Sequence, residues 1–242
     1  ATHADALDAQ VEDVSHRTAL LALQGPAARA ILEPLVSSDL DEVTYYRFRE
    51  GEVGGVSATI SGTGYTGEDG FELYVDAADA SDLWTLLLNR GEGVGLLPVG
   101  LGARDSLRLE MGYALYGNDL DEDHTPLEAG LSWITKLDKG PFVGRNALVD
   151  QKSRGVGRRL VGMTVTGRGF PRPGYTVLSG DEPVGTVTSG TVSPTLGVGI
   201  AMAYVPSALA APDTPLVVAA RGRALEAEVV RLPFYTQGSI RR

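Results

Sequence analysis

The chain has 242 residues, of which 43% are hydrophobic, so it is long and apolar enough to bury a sizeable core and is not a disordered chain. The absence of cysteine excludes disulfides, thiolate metal sites and cysteine nucleophiles. With 31 acidic against 21 basic residues, the net charge of −10 argues against a nucleic-acid partner, because phosphate binding needs a basic surface. No apolar run is long enough to span a membrane, and residues 1–8 show no secretion signal, so we expect a cytoplasmic protein without membrane contacts.

The first half of the chain mixes strand-like and helix-like segments. Strands are predicted over residues 18–23, 45–48, 55–61 and 71–75. One helix is predicted to begin at Gly25-Pro26, with the proline at its first position, and another at the capping residues Ser81-Asp82. This order predicts an α+β fold with an antiparallel sheet.

The second half changes from helix to β-structure. A helix is predicted over residues 102–111, with Ala103, Leu107 and Met111 as its core stripe. Residues 112–128 are typical of a loop, and residues 130–137 are predicted to be buried. After a polar linker, six short β segments separated by turns predict a small barrel or sandwich. These segments are residues 160–165, 175–178, 184–188, 198–205, 216–219 and 224–231.

The turn with the sequence GYTGEDGFE, residues 64–72, is unusually rich in glycine and polar side chains. Its glycines allow positive φ angles or the close approach of another molecule. Glu72 occupies an alternating strand position that indicates an inward-pointing carboxylate, which must then find hydrogen-bond donors. A flat heterocycle with adjacent N–H groups would supply them. The alternatives are a solvent-facing Glu72 or a pair with Arg104.

Two arginines lie four residues apart on the predicted helix over residues 102–111. Arg104 is suited to bind a carboxylate or carbonyl group, and an ion pair with Asp105 or Glu110 is the alternative. Arg108 is predicted to be a structural partner of nearby acids.

The chain shows no metal-binding pattern. Asp119, Asp121 and Asp123 begin like a calcium loop, but the sixth position is His124 and the twelfth is Gly130, which favours a solvated acidic loop. The histidines lack the paired spacing of zinc ligands. A Gly-x-Gly-x-x-Gly run at residues 62–67 is followed by a strand rather than a helix, so it predicts no dinucleotide site.

Six segments in chain order carry a resemblance to one family. They are ALQGP at 22–26, GYTGEDGFE at 64–72, GLGARDSLRLE at 100–110, LYGN at 115–118, TSGTVSPTLG at 188–197 and LPFY at 232–235. Together they resemble the glycine-cleavage T-protein, the tetrahydrofolate-dependent aminomethyltransferase.

The resemblance implies a three-domain α+β cloverleaf with folate in its central hole and a small carboxyl-terminal β-barrel. It implies that Glu72 accepts hydrogen bonds from the pterin ring, that Arg104 contacts the folate, and that Tyr65 and Tyr113 line the pocket. The implied reaction moves an aminomethyl carbon from the lipoylated H-protein to tetrahydrofolate and releases ammonia.

One family feature has no counterpart in this sequence. The family carries a catalytic aspartate within an Asn-Ala-Ala-Asn-type motif, and neither Asp5 nor Asp8 has that context, so no catalytic residue is predicted. We expect a chain that is inactive or weak by itself. The predicted domains are residues 1–14 as the tail of a largely missing amino-terminal domain, 15–148 as the α+β folate-binding domain, 149–157 as a linker and 158–242 as the barrel domain.

Two alternatives of a different class stay open. The chain could be the folate-binding carboxyl-terminal module of a dimethylglycine or sarcosine demethylating oxidoreductase, which a dinucleotide fold upstream of Ala1 would favour. It could also be a non-enzymatic folate sensor like the iron–sulfur assembly relatives, which carry a Cys motif that this chain lacks.

Overall fold

The computed structural model describes residues 8–37, 39–167 and 169–241 of the chain. The chain divides into two compact units, one formed by Ala1–Val99 with Gly238–Arg242 and the other by Gly100–Gln237. The first seven residues of the predicted tail lie outside the described residues. The domain boundaries predicted from the sequence stay predictions.

The first unit is a four-stranded antiparallel sheet with two helices. Its elements in chain order are β1 (Thr18–Gln24), α1 (Ala28–Leu32), β2 (Phe48–Val53), β3 (Val56–Ser61), β4 (Gly70–Asp76) and α2 (Ala80–Gly91). The strands lie side by side in the order β1-β4-β3-β2. The predicted antiparallel sheet with helices is therefore confirmed.

An apolar core joins one face of this sheet to both helices. Phe71 and Leu73 of β4 are buried in one cluster with Leu32 of α1 and Leu83 of α2. Along β4 the buried residues alternate with more exposed ones, which is the two-residue period of a strand. This alternation places Glu72 on the face opposite to the core, so its carboxylate does not point into the apolar interior.

Three predicted boundaries in the first unit are wrong. The predicted strand over residues 45–48 is mostly a turn in which Tyr46 has a φ of 63°, and β2 begins at the last of these residues. Helix α1 begins at Ala28 rather than at the proline, because Gly25 has a φ of 122° and turns the chain after β1. Helix α2 has Asp79 at its N-cap, before the predicted cap.

The second unit contains two helices and a closed six-stranded barrel. Its elements are α3 (Leu101–Glu110), α4 (Arg145–Arg154), β5 (Arg158–Val165), β6 (Thr176–Ser179), β7 (Glu182–Val192), β8 (Gly199–Pro206), β9 (Pro215–Ala220) and β10 (Arg223–Val230). The barrel closes in the order β10-β5-β8-β7-β6-β9. The predicted small β-barrel is confirmed.

Strand β8 is buried on both faces, because one face lines the barrel interior and the other contacts α3. Ala201 and Ala203 belong to the cluster that fills the barrel interior. Ile200 and Met202 point the other way and form a second cluster with Leu109 of α3. Helix α3 therefore packs against the outer wall of the barrel.

The segment between the two helices of this unit departs in part from expectation. Residues 112–128 form a loop, as predicted. The prediction that residues 130–137 are buried is wrong, because Trp133 is 61% exposed and Ile134 is 51% exposed. Residues 149–154 of the predicted linker belong to α4. Across the described parts of the chain, no helix has the length and apolar character needed to cross a membrane.

Candidate functional site

The glycine-rich loop, residues 62–69, connects β3 to β4 and folds around the side chain of Gln24 at the end of β1. Nε2 of Gln24 donates to the carbonyl oxygens of Thr63 and Phe71, each at 3.2 Å. Thr66 Oγ1 donates to Oε1 of Gln24 at 3.3 Å. One side chain from the ALQGP segment therefore attaches the loop to β1.

The glycines of this region serve that attachment. A Cβ at Gly64 would lie 2.0 Å from Oε1 of Gln24, and a Cβ at Gly70 would lie 2.7 Å from the carbonyl oxygen of Leu23. Gly67 has a φ of 80°, a conformation that favours glycine. The close approach predicted from the glycines is thus made at Gly64 and Gly70 by the chain's own β1.

Glu72 is oriented by Thr63 on the sheet face opposite to the helices. Thr63 Oγ1 donates to Oε2 of Glu72 at 2.5 Å and lies 2.9 Å from Oγ of Ser61. The Glu72 side chain is half-buried. Burial raises the pKa of the neighbouring Tyr74, and the charge of Glu72 adds to this shift. A carboxylate has about four lone-pair sites, so Glu72 keeps acceptor capacity beyond its bond with Thr63.

Helix α3 buries two charged side chains near its end, and the predicted apolar stripe is only partly buried. Met111 is buried, but Ala103 and Leu107 are only half-buried. The deepest positions of the helix include Arg108, which is 1% exposed, and Glu110, which is 2% exposed. The predicted stripe is therefore wrong at Ala103 and Leu107 and holds at Met111.

Arg108 is the centre of a buried hydrogen-bond network in the second unit. Its Nη1 donates to Oδ2 of Asp119 at 2.6 Å, and its Nη2 donates to Oδ1 of Asp105 at 2.6 Å and to Oγ of Ser189 at 2.7 Å. Burial by itself lowers the pKa of Arg108, but the hydrogen bonds and charges of the two acids outweigh it, and the net pKa is raised. The prediction that Arg108 is a structural partner of nearby acids is confirmed.

Asp119 is completely buried, so the prediction of a solvated acidic loop is wrong at this residue. Besides Arg108, its donors are the backbone N–H of Leu115 at 2.9 Å, Oγ1 of Thr188 at 2.5 Å and Oγ of Ser189 at 2.8 Å. These bonds connect the loop after α3 to strand β7 of the barrel.

The predicted folate contacts of the second unit lie on both sides of Arg108 along the chain. The N–H of Tyr113 donates to the carbonyl oxygen of Arg108 at 2.9 Å, and Nη1 of Arg108 donates to the carbonyl oxygen of Tyr113 at 3.1 Å. The backbone of Tyr113 is therefore fixed twice by one residue. Arg104 lies one helical turn before Arg108 and is exposed.

Glu110, which the sequence suggested only as an alternative ion-pair partner of Arg104, is a buried polar residue with distant partners. Its Oε1 accepts from Oγ of Ser193 and from the N–H of Thr195, and its Oε2 accepts from Oγ1 of Thr195 at 2.9 Å. Glu110 closes the GLGARDSLRLE segment, and its partners belong to TSGTVSPTLG. The joint presence of these two segments was the signal from which the contact could have been found.

Asp121, another acid of the loop after α3, binds a histidine of the same loop. Nδ1 of His124 lies 2.6 Å from Oδ1 of Asp121, and this hydrogen bond lowers the pKa of Asp121. In the residues that the structure describes, no group of three or more His, Cys, Asp or Glu side chains is arranged to hold a metal ion.

The fold defines the class of this chain, an α+β protein with a closed carboxyl-terminal barrel. Two family models match the sequence of the chain. One is described as the GCVT N-terminal domain and covers residues 1–139, and the other is the glycine cleavage T-protein C-terminal barrel domain and covers residues 158–236. The chain belongs to the glycine cleavage T-protein family.

Similar proteins agree with this membership. The aminomethyltransferase of Moorella thermoacetica is 52% identical over 226 residues, which are 93% of this chain and 62% of the relative. The aminomethyltransferase of Halothermothrix orenii is 49% identical over 225 residues, 93% of this chain and 63% of the relative. The crystal structure of glycine cleavage system aminomethyltransferase T from Bartonella henselae has a TM-score of 0.83 and 35% identity, covering 91% of this chain and 60% of that chain. The chain thus spans about three-fifths of the length of these proteins.

Proposed function

We propose that these 242 residues are part of a tetrahydrofolate-dependent aminomethyltransferase of the glycine cleavage system. The proposed reaction transfers the aminomethyl carbon carried by the lipoyl arm of the H-protein to tetrahydrofolate and releases ammonia. Family membership of both parts of the chain supports this proposal. The name aminomethyltransferase, which the relatives carry, favours it over the folate-binding module of a demethylating oxidoreductase.

The observation that carries the proposal is the oriented carboxylate of Glu72 beside the glycine-rich loop. With Oε2 positioned by Thr63, the carboxylate can accept two N–H bonds from a pterin edge. Each charge-assisted bond is worth about 1.5–3 kcal/mol. Tyr65 lies on the same loop and is half-buried, as expected for an aromatic contact.

We infer complementary roles for the second unit. Arg104 supplies a positive charge for the anionic part of folate, which a chain with a net charge of −10 must provide locally. Tyr113, whose backbone Arg108 fixes, is a proposed aromatic contact. When bound, tetrahydrofolate supplies the nitrogen that accepts the one-carbon unit. The protein's own side chains then mainly position and polarise the reactants.

Calorimetric titration with tetrahydrofolate tests this proposal. Glu72→Gln keeps the shape of the side chain and removes its charge, and we expect affinity to fall by about 5- to 150-fold, the equivalent of roughly 1–3 kcal/mol. Glu52→Gln, an exposed glutamate on β2, makes the same charge change in the same sheet and should leave affinity unchanged. Equal affinity of Glu72→Gln and the parent chain would remove Glu72 from the site.

A turnover assay with lipoylated H-protein addresses the transfer reaction. No residues of the chain match the motif of the family's catalytic aspartate, so we expect weak turnover by these 242 residues alone. A rate equal to that of a full-length relative would contradict this expectation.

A further inference from the structure

Residues 238–240, near the end of the chain, lie against the glycine-rich loop of the first unit. The N–H of Asp69 donates to Oγ of Ser239 at 2.8 Å. The backbone N–H and the hydroxyl of Ser239 both donate to Oε2 of Glu68, at 3.0 and 2.5 Å. The N–H of Ile240 donates to the carbonyl oxygen of Gly67 at 3.4 Å. Three consecutive loop residues are thus bound by residues about 170 positions later in the chain.

The contact at Gly238 is too close for a larger residue. A Cβ at Gly238 would lie 2.2 Å from the carbonyl oxygen of Gly67, and Gly238 is buried. Because this neighbour is backbone, it cannot move aside as a flexible side chain could. The two glycines bring the chain end within backbone contact of the loop.

The hydroxyl of Ser239 both accepts and donates a hydrogen bond with residues of the loop. Oγ accepts one hydrogen bond, from Asp69, and donates one, to Glu68. The bond to a carboxylate is charge-assisted, which makes it stronger than a neutral one. The carboxylate of Glu68 is thereby engaged within the protein.

The loop is consequently attached on both sides. Gln24 binds it from β1 through Thr63 and Thr66, and Ser239 binds it through Glu68 and Asp69. In sequence, Tyr65 lies between Thr63 and Thr66, the two loop residues that Gln24 binds. Glu72 follows the loop on β4.

We propose that residues 238–240 are a positioning element for the glycine-rich loop, with Ser239 as the positioning residue that prepares the loop for tetrahydrofolate. This inference rests on the proposed function. Ser239 acts through Glu68 and Asp69 and touches no reacting atom.

Two measurements on the 242-residue chain test the inference. The first is amide hydrogen exchange at Asp69 without ligand, and the second is calorimetric affinity for tetrahydrofolate. In Ser239→Ala we expect exchange at Asp69 to be about tenfold faster and folate affinity to fall by about the same factor, since roughly one charge-assisted bond is lost. Ser239→Thr keeps the hydroxyl and should restore both values. Thr236→Ala removes an exposed hydroxyl from the same segment and should change neither.

Each outcome is decisive. Unchanged exchange at Asp69 in Ser239→Ala would overturn the attachment. Faster exchange with unchanged folate affinity would overturn the positioning role. If the parent chain bound no tetrahydrofolate, the proposed function would fail together with the positioning role, and the ligand-free exchange data would distinguish that failure from loss of the attachment.

Discussion

Asp119→Ala removes the carboxylate that neutralises the buried guanidinium of Arg108. This carboxylate is fully buried and accepts hydrogen bonds between 2.5 and 2.9 Å from four groups. Removing one partner of a buried ion pair costs about 3–5 kcal/mol, because the remaining charge stays desolvated. Arg108 retains Asp105, whose side chain is 52% exposed, so we expect a loss at the lower end, about 3 kcal/mol.

Urea and thermal unfolding of the chain measure this loss. A decrease of about 3 kcal/mol corresponds to a fall in melting temperature of roughly 6–12 °C for a chain of this size. Asp105→Ala is the matched control, because the carboxylate of Asp105 binds the same guanidinium but is half exposed to solvent. We expect that control to cost about 1 kcal/mol or less, since solvent screens the pair.

A double variant separates the cost of an unpaired charge from the cost of lost packing. Arg108→Met combined with Asp119→Leu removes both charges, and it should be more stable than Asp119→Ala because no desolvated charge remains. The reasoning would be refuted if Asp119→Ala cost no more than Asp105→Ala and the double variant were less stable than both.

Two further predictions concern Thr63 and Glu128. Thr63→Val removes the hydroxyl that orients Glu72 and should weaken tetrahydrofolate binding about fivefold in calorimetry. Thr63→Ser keeps the hydroxyl and should bind like the parent chain. Equal affinity of Thr63→Val and the parent chain would contradict this role. Burial alone would raise the pKa of Glu128, but hydrogen bonds from the N–H of Thr125 and from Arg158 lower it below 4.5. A lowered folded-state pKa stabilises the fold above the unfolded pKa, and this contribution is lost as pH falls through the folded value. Glu128→Gln should therefore lose less stability than the parent between about pH 5 and 3 in urea unfolding, and equal losses would exclude this linkage.

The strand pattern was predictable because it depends on neighbouring residues. Along β4, Phe71 and Leu73 alternate with Glu72, and a period of two specifies both the strand and its faces. The six barrel strands were predictable for a related reason, since short apolar segments are separated by Gly, Pro or Asp turns. The sheet face on which Glu72 lies was not predictable, because alternation separates the two faces of a strand without stating which one the helices cover.

The polar burial on α3 could not be predicted from the helix alone. Its sequence favours an apolar stripe through Ala103 and Leu107, yet the charged residues Arg108 and Glu110 are buried more deeply than either. Some of their partners, such as Ser189 and Ser193, are about 80 residues away in sequence and reach the helix only when the barrel has formed. Ser239 gave no signal at all, since a single serine in a polar segment is usually exposed.

By itself, the sequence determined most of the strands, the barrel, the family and the identity of the glycine-rich loop, because these follow from local periodicity and from contiguous segments. The tertiary structure alone decided which polar groups are buried and with whom. A charged side chain becomes an interior residue only where distant segments supply its hydrogen bonds, and that supply is a property of the folded chain rather than of any short stretch of it.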